Sequence, residues 1–521
     1  MRKIIKYALL LLCIVMMKVN AQEKKTLPPD FNFLPSTEVD VPDSVWVFFR
    51  KGPLVNNQSG ERMKIKPNVD GSFSFSPSFI QPVYWFEIYF MYYKSRQRAK
   101  PATYYAEPND QLKVIYAKAA DTGKGTIPKM KLTFSGKGAE KYKVVELLGK
   151  IKTDLSRSLN EDAKKEFGAD SKTKDDKIGR EGYYKSAELK VYLNSILEKV
   201  KGANRQSQDT LLKYKSLIGN NITNYLSYEL SSSGYFSSWI DYLYRIGNSP
   251  NFRQTITDFY FLNRNSVIKE VSDPLVKYSK DYKFNKLLEI KYETGFRNKG
   301  KSLPYYKLYD AVKAVKNSGL RDILLSYLMY EPVFTNRITN TDSQDSCIRD
   351  ALAVIKSPEL LEPVQEQLLF FRGSQIPDFT FVDQEGKPTS LADLKGKVFM
   401  IDFYFYGCKG CIAYAKRFKE EIYPEFVHNP KFKVLSVSVD KKREHWISAM
   451  NSNLYNERDY INLSAGNLSW KHPFLKHFNR ASFPFILLVD KNGRLISKIE
   501  NESSPVIADF IRKSLNEKNS K

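Results

Sequence analysis

The sequence predicts a multidomain chain: an N-terminal antiparallel β-sandwich, an all-α middle region and a C-terminal α/β domain. Three successive textures along the 521 residues support this order. Short aromatic and β-branched runs come first, apolar residues at three- and four-residue spacing come next, and alternating strand-like and helical runs come last. We therefore divide the chain into residues 38–138, 139–372 and 373–521, preceded by a signal peptide (1–21) and a polar linker (22–37).

The N-terminus has the pattern of a secretory signal. Arg2 and Lys3 precede an apolar run from Tyr7 to Met17, and the small residue Ala21 follows. The run is too short for a membrane span, which needs about 20 residues. The sequence therefore predicts export to the periplasm of a bacterial cell envelope after cleavage near Ala21, and it predicts that the chain is not an integral membrane protein.

Five runs between residues 38 and 138 predict the strands of the sandwich. They combine aromatic with β-branched residues, and turn formers separate them. The runs are Ser44–Phe49, Gly71–Ser76, Tyr84–Tyr93, Gln111–Ala117 and Met130–Gly136.

The helical region predicted for residues 139–372 rests on the spacing of apolar residues. Segments such as AEKYKVVELLGKIKTDLSRSL and LRDILLSYLMY place them three and four positions apart. Asn, Ser, Asp and Gly mark the breaks, which predicts about eight to ten helices. No fixed period recurs, so we predict no solenoid.

The basic residues of the chain do not form a nucleic-acid-binding pattern. The formal net charge is +24 at pH 7, which favours contact with acidic partners or anionic surfaces. The Lys and Arg residues are nevertheless scattered, and no helix-turn-helix, zinc-finger or RNP-like motif is present. We therefore expect no nucleic-acid partner.

Strand-like and helical runs alternate in the last part of the chain, which predicts a sheet with helices on both faces. The predicted strands are Phe379–Val382, Val398–Phe405, Phe432–Val439, Phe485–Val489 and Arg494–Ile499, and the predicted helices are 408–423, 441–451 and 504–517. The segment DKNG predicts a turn between the last two strands, which we expect to be antiparallel.

Cys408 and Cys411 form a close pair. A nearly continuous apolar strand leads to Cys408 and a helical stripe begins at Cys411, so Cys408 is predicted at the N-terminus of the helix. Free N–H groups and the helix dipole favour an anion there, and Lys409 adds a cation. We therefore expect the thiol pKa of Cys408 to lie below its ordinary value near 8.5. Cys411 is placed to resolve a mixed disulfide.

The residues around the pair resemble a known family. FMIDFYFYGCKGC resembles the strand–CxxC–helix segment of thioredoxin-fold proteins, and about 374–517 is similar to the exported TlpA/ResA-like thiol–disulfide oxidoreductases, which are related to AhpC/TSA proteins. GSQIPDFTFVDQEGKPTSLADLKGK resembles the family's entry hairpin, and SFPFILLVDKNGRL resembles the segment that carries its cis-proline. The resemblance implies that Phe483 and Pro484 lie against the disulfide and orient the substrate. It also implies that Asp402 assists deprotonation of Cys411.

Two departures from the family affect the functional prediction. Gly407 replaces the usual tryptophan before the first cysteine, and Lys409-Gly410 replaces Gly-Pro. Because this dipeptide helps to set the redox potential, the direction of electron flow stays open. We expect a disulfide reductase of protein substrates, with Gly407 and Lys409 at the substrate surface, a membrane-side redox donor protein as partner, no cofactor and no metal.

Other functions remain as alternatives. A zinc site needs two more ligands, and the four histidines show no ligand spacing; His472 and His477 are expected at the surface or in an insertion. A copper chaperone normally spaces its cysteines more widely. A peroxiredoxin needs Pro and Thr before its peroxidatic cysteine, and FYFYGC has neither. The last alternative is a binding or scaffold protein whose thioredoxin-like domain is vestigial.

Four further side chains receive an interpretation from their context. Cys347 is expected to be a half-buried helical thiol. Asp402 could be a satisfied buried carboxylate, but an acid in so apolar a strand usually has a task. Trp446 and Trp470 are expected to pack in the core or in an insertion.

Overall fold

The structure is a computed structural model that describes residues 26–37, 39–52, 60–92, 97–98, 103–118, 130–167, 186–230, 243, 253–267, 274–298, 303–330, 341–478, 482–499 and 502–516. The predicted signal peptide lies outside the described residues. Contacts divide the chain into two compact units, Met1–Tyr292 and Glu293–Lys521. Within the described ranges, none of the helices has the length and apolar character that a membrane span requires.

Two sheets of the first unit enclose one aromatic core. The strands are β1 (Asp30–Pro35), β2 (Ser44–Arg50), β3 (Gly60–Ile65), β4 (Phe73–Phe75), β5 (Tyr84–Tyr92), β6 (Gln97–Arg98), β7 (Thr103–Ala106), β8 (Gln111–Lys118) and β9 (Met130–Lys137). One sheet has the order β4-β1-β8-β9, and the other has the order β3-β2-β5-β6 with β7 paired to β5. Inward residues of both sheets, such as Phe31, Phe49 and Phe86, form one buried cluster.

This β-rich unit differs from the predicted antiparallel sandwich in two ways. β1 and β8 pair in parallel, which requires a long connection, and six strands lie between them in the sequence. β1 also lies in the segment predicted as a polar linker (22–37), so that prediction is wrong for these six residues. Phe31 and Phe33 are fully buried and Asn32 is exposed between them. This alternation is typical of a strand with one buried face, but it spans too few residues to predict a strand from the sequence.

The middle of the chain is helical, as predicted, in its described residues. Its helices are α1 (Glu140–Phe167), α2 (Ser186–Ile218), α3 (Asn220–Leu230), α4 (Arg253–Val267), α5 (Lys280–Arg297), α6 (Tyr305–Lys313), α7 (Ser318–Tyr330), α8 (Thr341–Val354) and α9 (Pro358–Gln365). Helices α6 to α9 belong to the second unit, together with the α/β domain that follows them.

The α/β domain is built on one mixed sheet. Its strands are β10 (Thr380–Val382), β11 (Pro388–Ser390), β12 (Val398–Tyr404), β13 (Phe432–Ser438), β14 (Ile461–Ser464), β15 (Phe485–Val489) and β16 (Leu495–Ile499), in the order β11-β10-β14-β13-β12-β15-β16. β12, β13 and β14 are parallel, and β15 and β16 are antiparallel as the DKNG turn predicts. Its helices are α10 (Lys409–Glu421), α11 (Arg443–Asn451), α12 (Pro473–His477) and α13 (Ser504–Asn516).

The α/β domain has a core on each face of its sheet. Ile401 and Phe403 of β12 belong to the cluster on one face, and Met400 belongs to the cluster on the other, beneath α10 and α13. All seven residues of β12 are buried, which explains its nearly continuous apolar sequence. β10 and β11 form the hairpin that the resemblance implies. β14 and α12 were not predicted, because each is short and lacks a sustained period.

Removal of the Phe31 ring tests the position of β1 in the N-terminal core. The ring lies 4.9 Å from those of Phe75 and Phe86, centroid to centroid. We expect Phe31→Ala to lower the free energy of unfolding of this unit by about 3–5 kcal/mol, since it leaves a cavity in a packed core. Urea unfolding of the full chain, followed by circular dichroism, measures this loss. Asn32→Ala is the matched control and should change it by no more than about 0.5 kcal/mol; equal losses would contradict the fold described for β1.

Candidate functional site

A tight turn connects the central strand β12 to helix α10. The N–H of Cys408 donates to the carbonyl of Phe405 (3.1 Å), which closes a four-residue turn. Gly407, the third residue of this turn, has φ = +84°, a conformation that glycine adopts without a steric cost. The residue that replaces the family's tryptophan is therefore the residue that the turn requires.

Cys408 and Cys411 are joined by a disulfide bond at the start of α10. Cys408 is the N-cap residue, and its sulfur accepts a hydrogen bond from the backbone N–H of Cys411 (3.2 Å). Cys408 is 5% exposed and Cys411 is 1% exposed. The prediction that the first cysteine lies at the helix N-terminus and the second one turn inside is confirmed.

Phe483 and Pro484 lie against this disulfide. The peptide bond between them is cis, and the carbonyl oxygen of Phe483 is 3.9 Å from the sulfur of Cys408. A Cβ added at Gly410 would lie 3.3 Å from Cδ of Pro484, so the proline packs directly on the first turn of α10. The structure thus brings together the residues that the resemblance places at the disulfide, and their role toward a substrate remains a prediction.

Asp402 is the buried acid of the site. It lies on β12 between Met400 and Tyr404, and side chains two residues apart face the same side of a sheet. Met400 packs against Tyr414 of α10, so this side is the one beneath the cysteine helix. Burial raises the pKa of the Asp402 carboxyl well above its ordinary value. Its Oδ1 has no hydrogen-bond partner among the described residues.

Two side chains that were not predicted hold the turn before Cys408. Asp440 accepts a hydrogen bond from the N–H of Tyr406 through its Oδ2 (2.9 Å). The hydroxyl of Tyr455 accepts one from the N–H of Gly407 (2.8 Å). These partners are 34 and 48 residues further along the chain, and nothing in their local sequence marks them for this task.

The remaining candidates lie apart from the disulfide or differ from expectation. Cys347 lies on helix α8 as predicted, but its thiol is buried and not half-buried as expected. His477 is exposed as predicted, but His472 is buried, since its ring caps α12 and lies against the carbonyl of Thr380. Trp446 is buried as predicted, whereas Trp470 is 47% exposed and does not serve the core. Within the described part of the chain, no group of three or more His, Cys, Asp or Glu side chains is placed to hold a metal ion.

Comparison with known proteins relates the C-terminal domain to redox proteins. The AhpC/TSA family model matches residues 372–508. "Thiol-disulfide oxidoreductase ResA" of Bacillus thuringiensis subsp. konkukian is 26% identical over 133 residues, which are 25% of this chain and 71% of that protein. The protein of the same name from Bacillus anthracis is equally similar over the same shares.

Solved structures are similar over a comparable share of the chain. The thioredoxin domain of a thiol-disulfide oxidoreductase from Bacteroides vulgatus is 27% identical, with 28% of this chain and 98% of that chain covered and a TM-score of 0.25. A thiol:disulfide interchange protein from Bacteroides sp. is 26% identical, with 29% and 93% covered and a TM-score of 0.25.

The mixed sheet, the CxxC disulfide at a helix N-terminus and the cis-proline beside it define a thioredoxin-like domain. Together with the match of residues 372–508 to the AhpC/TSA model and the similarity to ResA, they make this a TlpA/ResA-like domain. These relationships cover the C-terminal quarter of the chain and leave the role of the first unit open.

Asp402 makes the stability of the domain depend on pH in a defined direction. Between the carboxyl's ordinary pKa of 3.8 and its raised pKa in the fold, the unfolded chain is ionised and the folded chain is protonated. Folding then takes up a proton, so the free energy of unfolding falls by about 1.4 kcal/mol for each unit by which the pH rises within this interval. Asp402→Asn should remove this fall: the variant gains stability relative to wild type as the pH rises above the ordinary pKa of 3.8 toward the raised pKa.

Urea unfolding at several pH values, followed by circular dichroism, measures this difference. Asp393→Asn is the matched control, because hydrogen bonds from Ser390 lower the pKa of the exposed Asp393. Its stabilising effect is present above the ordinary pKa and is lost as the pH falls, so its removal should have the opposite sign. A difference between Asp402→Asn and wild type that does not change with pH would rule out a raised pKa at Asp402.

Proposed function

We propose that this protein is a thiol–disulfide oxidoreductase that reduces disulfide bonds of polypeptide substrates. The observation that carries the proposal is the position of Cys408: its sulfur is at the helix N-cap, bonded to Cys411 and hydrogen-bonded to the Cys411 N–H. A sulfur in this position is stabilised as a thiolate when the bond is reduced, and the thiolate is the nucleophile in disulfide exchange. The similarity to ResA supports the same chemistry.

In the reduced protein, the Cys408 thiolate attacks one sulfur of the substrate disulfide. The substrate S–S bond breaks, a mixed disulfide with Cys408 forms, and the leaving thiolate takes up a proton. Cys411 then loses its proton and attacks the sulfur of Cys408. The protein disulfide re-forms, the second substrate thiolate leaves and is protonated, and two electrons have passed to the substrate.

Asp402 is the group we propose for the proton of Cys411. A general base works best when its pKa lies near the operating pH, and burial moves the pKa of Asp402 upward from 3.8 in that direction. The carboxylate takes the proton of Cys411 as this thiol attacks. Once this proton has been transferred the carboxyl is neutral, so the oxidised protein holds no buried charge at Asp402.

The cis-proline edge is the surface proposed to receive the substrate. Phe483 and Pro484 lie against the disulfide, and Gly407 and Lys409 are exposed beside it. Lys409 adds positive charge near the reacting sulfur, which favours the thiolate.

The cellular context follows from the N-terminal sequence. The charged, apolar and small-residue order of residues 1–21 supports export to the periplasm. Each reduction leaves the protein oxidised, so a dithiol donor protein at the membrane must return two electrons for every turnover. The β-sheet and helical regions would hold the client protein or this donor.

Substitution of each cysteine tests the proposed roles. We expect Cys408→Ser to lose the reduction of insulin disulfides in the presence of dithiothreitol, because no nucleophile remains at the helix N-cap. We expect Cys411→Ser to form a mixed disulfide with the substrate that persists, because no second thiol can release it. Turbidity of precipitating insulin chains measures the first outcome, and mass spectrometry of the trapped adduct measures the second.

Cys347→Ser is the matched control for both cysteine variants. Burial raises the pKa of Cys347 to about 12, so this thiol is protonated at neutral pH, and the variant should retain wild-type activity. If Cys408→Ser and wild type reduced insulin equally, the proposed function would be wrong.

The thiol pKa of Cys408 separates this function from that of a scaffold with a vestigial domain. In the reduced protein we expect a pKa below the ordinary value of about 8.5, by up to roughly one unit, because a helix N-terminus contributes about 0.3–1 kcal/mol and Lys409 adds to it. Ultraviolet absorbance of the thiolate during a pH titration measures this pKa, with Cys408→Ser as the blank. An ordinary pKa would favour the scaffold.

A further inference from the structure

Two exposed aromatic side chains stand directly before the redox-active pair. Phe405 is 39% exposed and Tyr406 is 49% exposed, although both follow a strand whose residues are all buried. Single exposed apolar side chains are common at protein surfaces, but these two are consecutive and lie just before the reacting cysteine. Their position makes them candidates for contact with a substrate.

Hydrogen bonds fix the backbone of the turn that carries these two rings. Three successive N–H groups of the turn are hydrogen-bonded: that of Tyr406 to Asp440, that of Gly407 to Tyr455 and that of Cys408 to the carbonyl of Phe405. Both side-chain partners are themselves held in place. The hydroxyl of Ser438 donates to Asp440 Oδ2 (2.9 Å), and the buried Tyr455 stacks on Tyr404 with ring centroids 4.8 Å apart. The two rings are thus presented on a rigid support.

Each of the two rings has an aromatic neighbour, and the residue between them and Cys408 leaves an open position. The ring of Phe405 lies 6.0 Å from that of Phe483, edge to face, and the ring of Tyr406 lies 5.5 Å from that of His445. Between them and Cys408 stands Gly407, and a Cβ built there meets no atom within 4 Å. The position next to the Gly407 backbone is therefore open, and the rings of Phe405 and Tyr406 belong to the residues that precede it.

We infer that Phe405 and Tyr406 bind a large apolar side chain of the substrate next to its reacting cysteine. The inference rests on the proposed function and specifies its substrate: an extended polypeptide in which an aromatic or large aliphatic residue adjoins the cysteine. That side chain lies over Gly407 and pairs with an aromatic face, which removes apolar surface of both partners from water. Asp440 and Tyr455 act as positioning residues for this contact. Lys409, exposed beside the pair, disfavours a basic side chain in the same place.

The test compares disulfides that differ in one side chain. The pre-reduced full-length protein is mixed with symmetrical peptide disulfides that carry Phe, Ser or Lys next to the cysteine, and with oxidised glutathione. Acid quenching and mass spectrometry give the second-order rate constant for each. We expect the Phe peptide to react about tenfold faster than the Ser peptide, which corresponds to the pairing and partial burial of one ring, and the Lys peptide to react more slowly than both.

Variants assign this preference to the two rings. In Phe405→Ser/Tyr406→Ser the ratio of the Phe to the Ser rate constant should fall toward one; because it is a ratio, a loss of active protein does not affect it. Trp470→Ser is the matched control, since it removes an equally exposed ring of the same domain, and it should keep the wild-type ratio. Tyr455→Phe deletes the hydrogen bond to Gly407 and should lower the ratio, whereas Tyr423→Phe deletes a hydrogen bond to Asp459 elsewhere in the domain and should not.

The outcomes distinguish this inference from the function on which it rests. Equal rate constants for all peptide disulfides in the wild-type protein, or a preference that survives the loss of both rings, would overturn the inference and leave the oxidoreductase function intact. If the reduced protein reacts with none of the disulfides, including oxidised glutathione, both fall.

Discussion

The contact between the Cys408 sulfur and the N–H of Cys411 is the interaction on which the site depends. It uses two properties of a helix N-terminus: N–H groups without intrahelical partners and the positive end of the dipole. The rest of the domain serves to place one sulfur at that point. The buried strand β12 leads into the turn. Gly407 adopts the positive φ at which the backbone changes direction, and α10 begins two residues later, at Lys409.

The second constraint is a carboxyl in an apolar interior. Asp402 occupies a central position of the sheet, beneath the helix that carries both cysteines, where desolvation opposes its charged form. A leucine there would fill the same space without that opposition. The fold instead keeps a group whose proton is held more tightly than in water. The role proposed for Asp402 toward the proton of Cys411 depends on this raised pKa.

The aromatic pair Phe405 and Tyr406 has the opposite character, since it exposes apolar surface instead of burying charge. Both features lie within seven residues of the chain, on either side of the point where β12 ends. Strand residues before Phe405 point into the two cores, and the turn, held by Asp440 and Tyr455, points its side chains outward. One rigid segment thereby supplies the buried acid, the exposed rings and the nucleophilic sulfur.

The sequence by itself determined the CxxC pair, the helix that starts there, the buried strand before it and the antiparallel end of the sheet. These signals are local: apolar runs, helical spacing and turn residues act over a few positions, so they can be read without knowledge of the fold. Only the tertiary structure decided the rest. The parallel pairing of β1 with β8, the burial of His472, and the support of the turn by Asp440 and Tyr455 join residues that are distant in the chain. Their local sequences carry no trace of the partner, because such contacts are selected by how the whole chain packs.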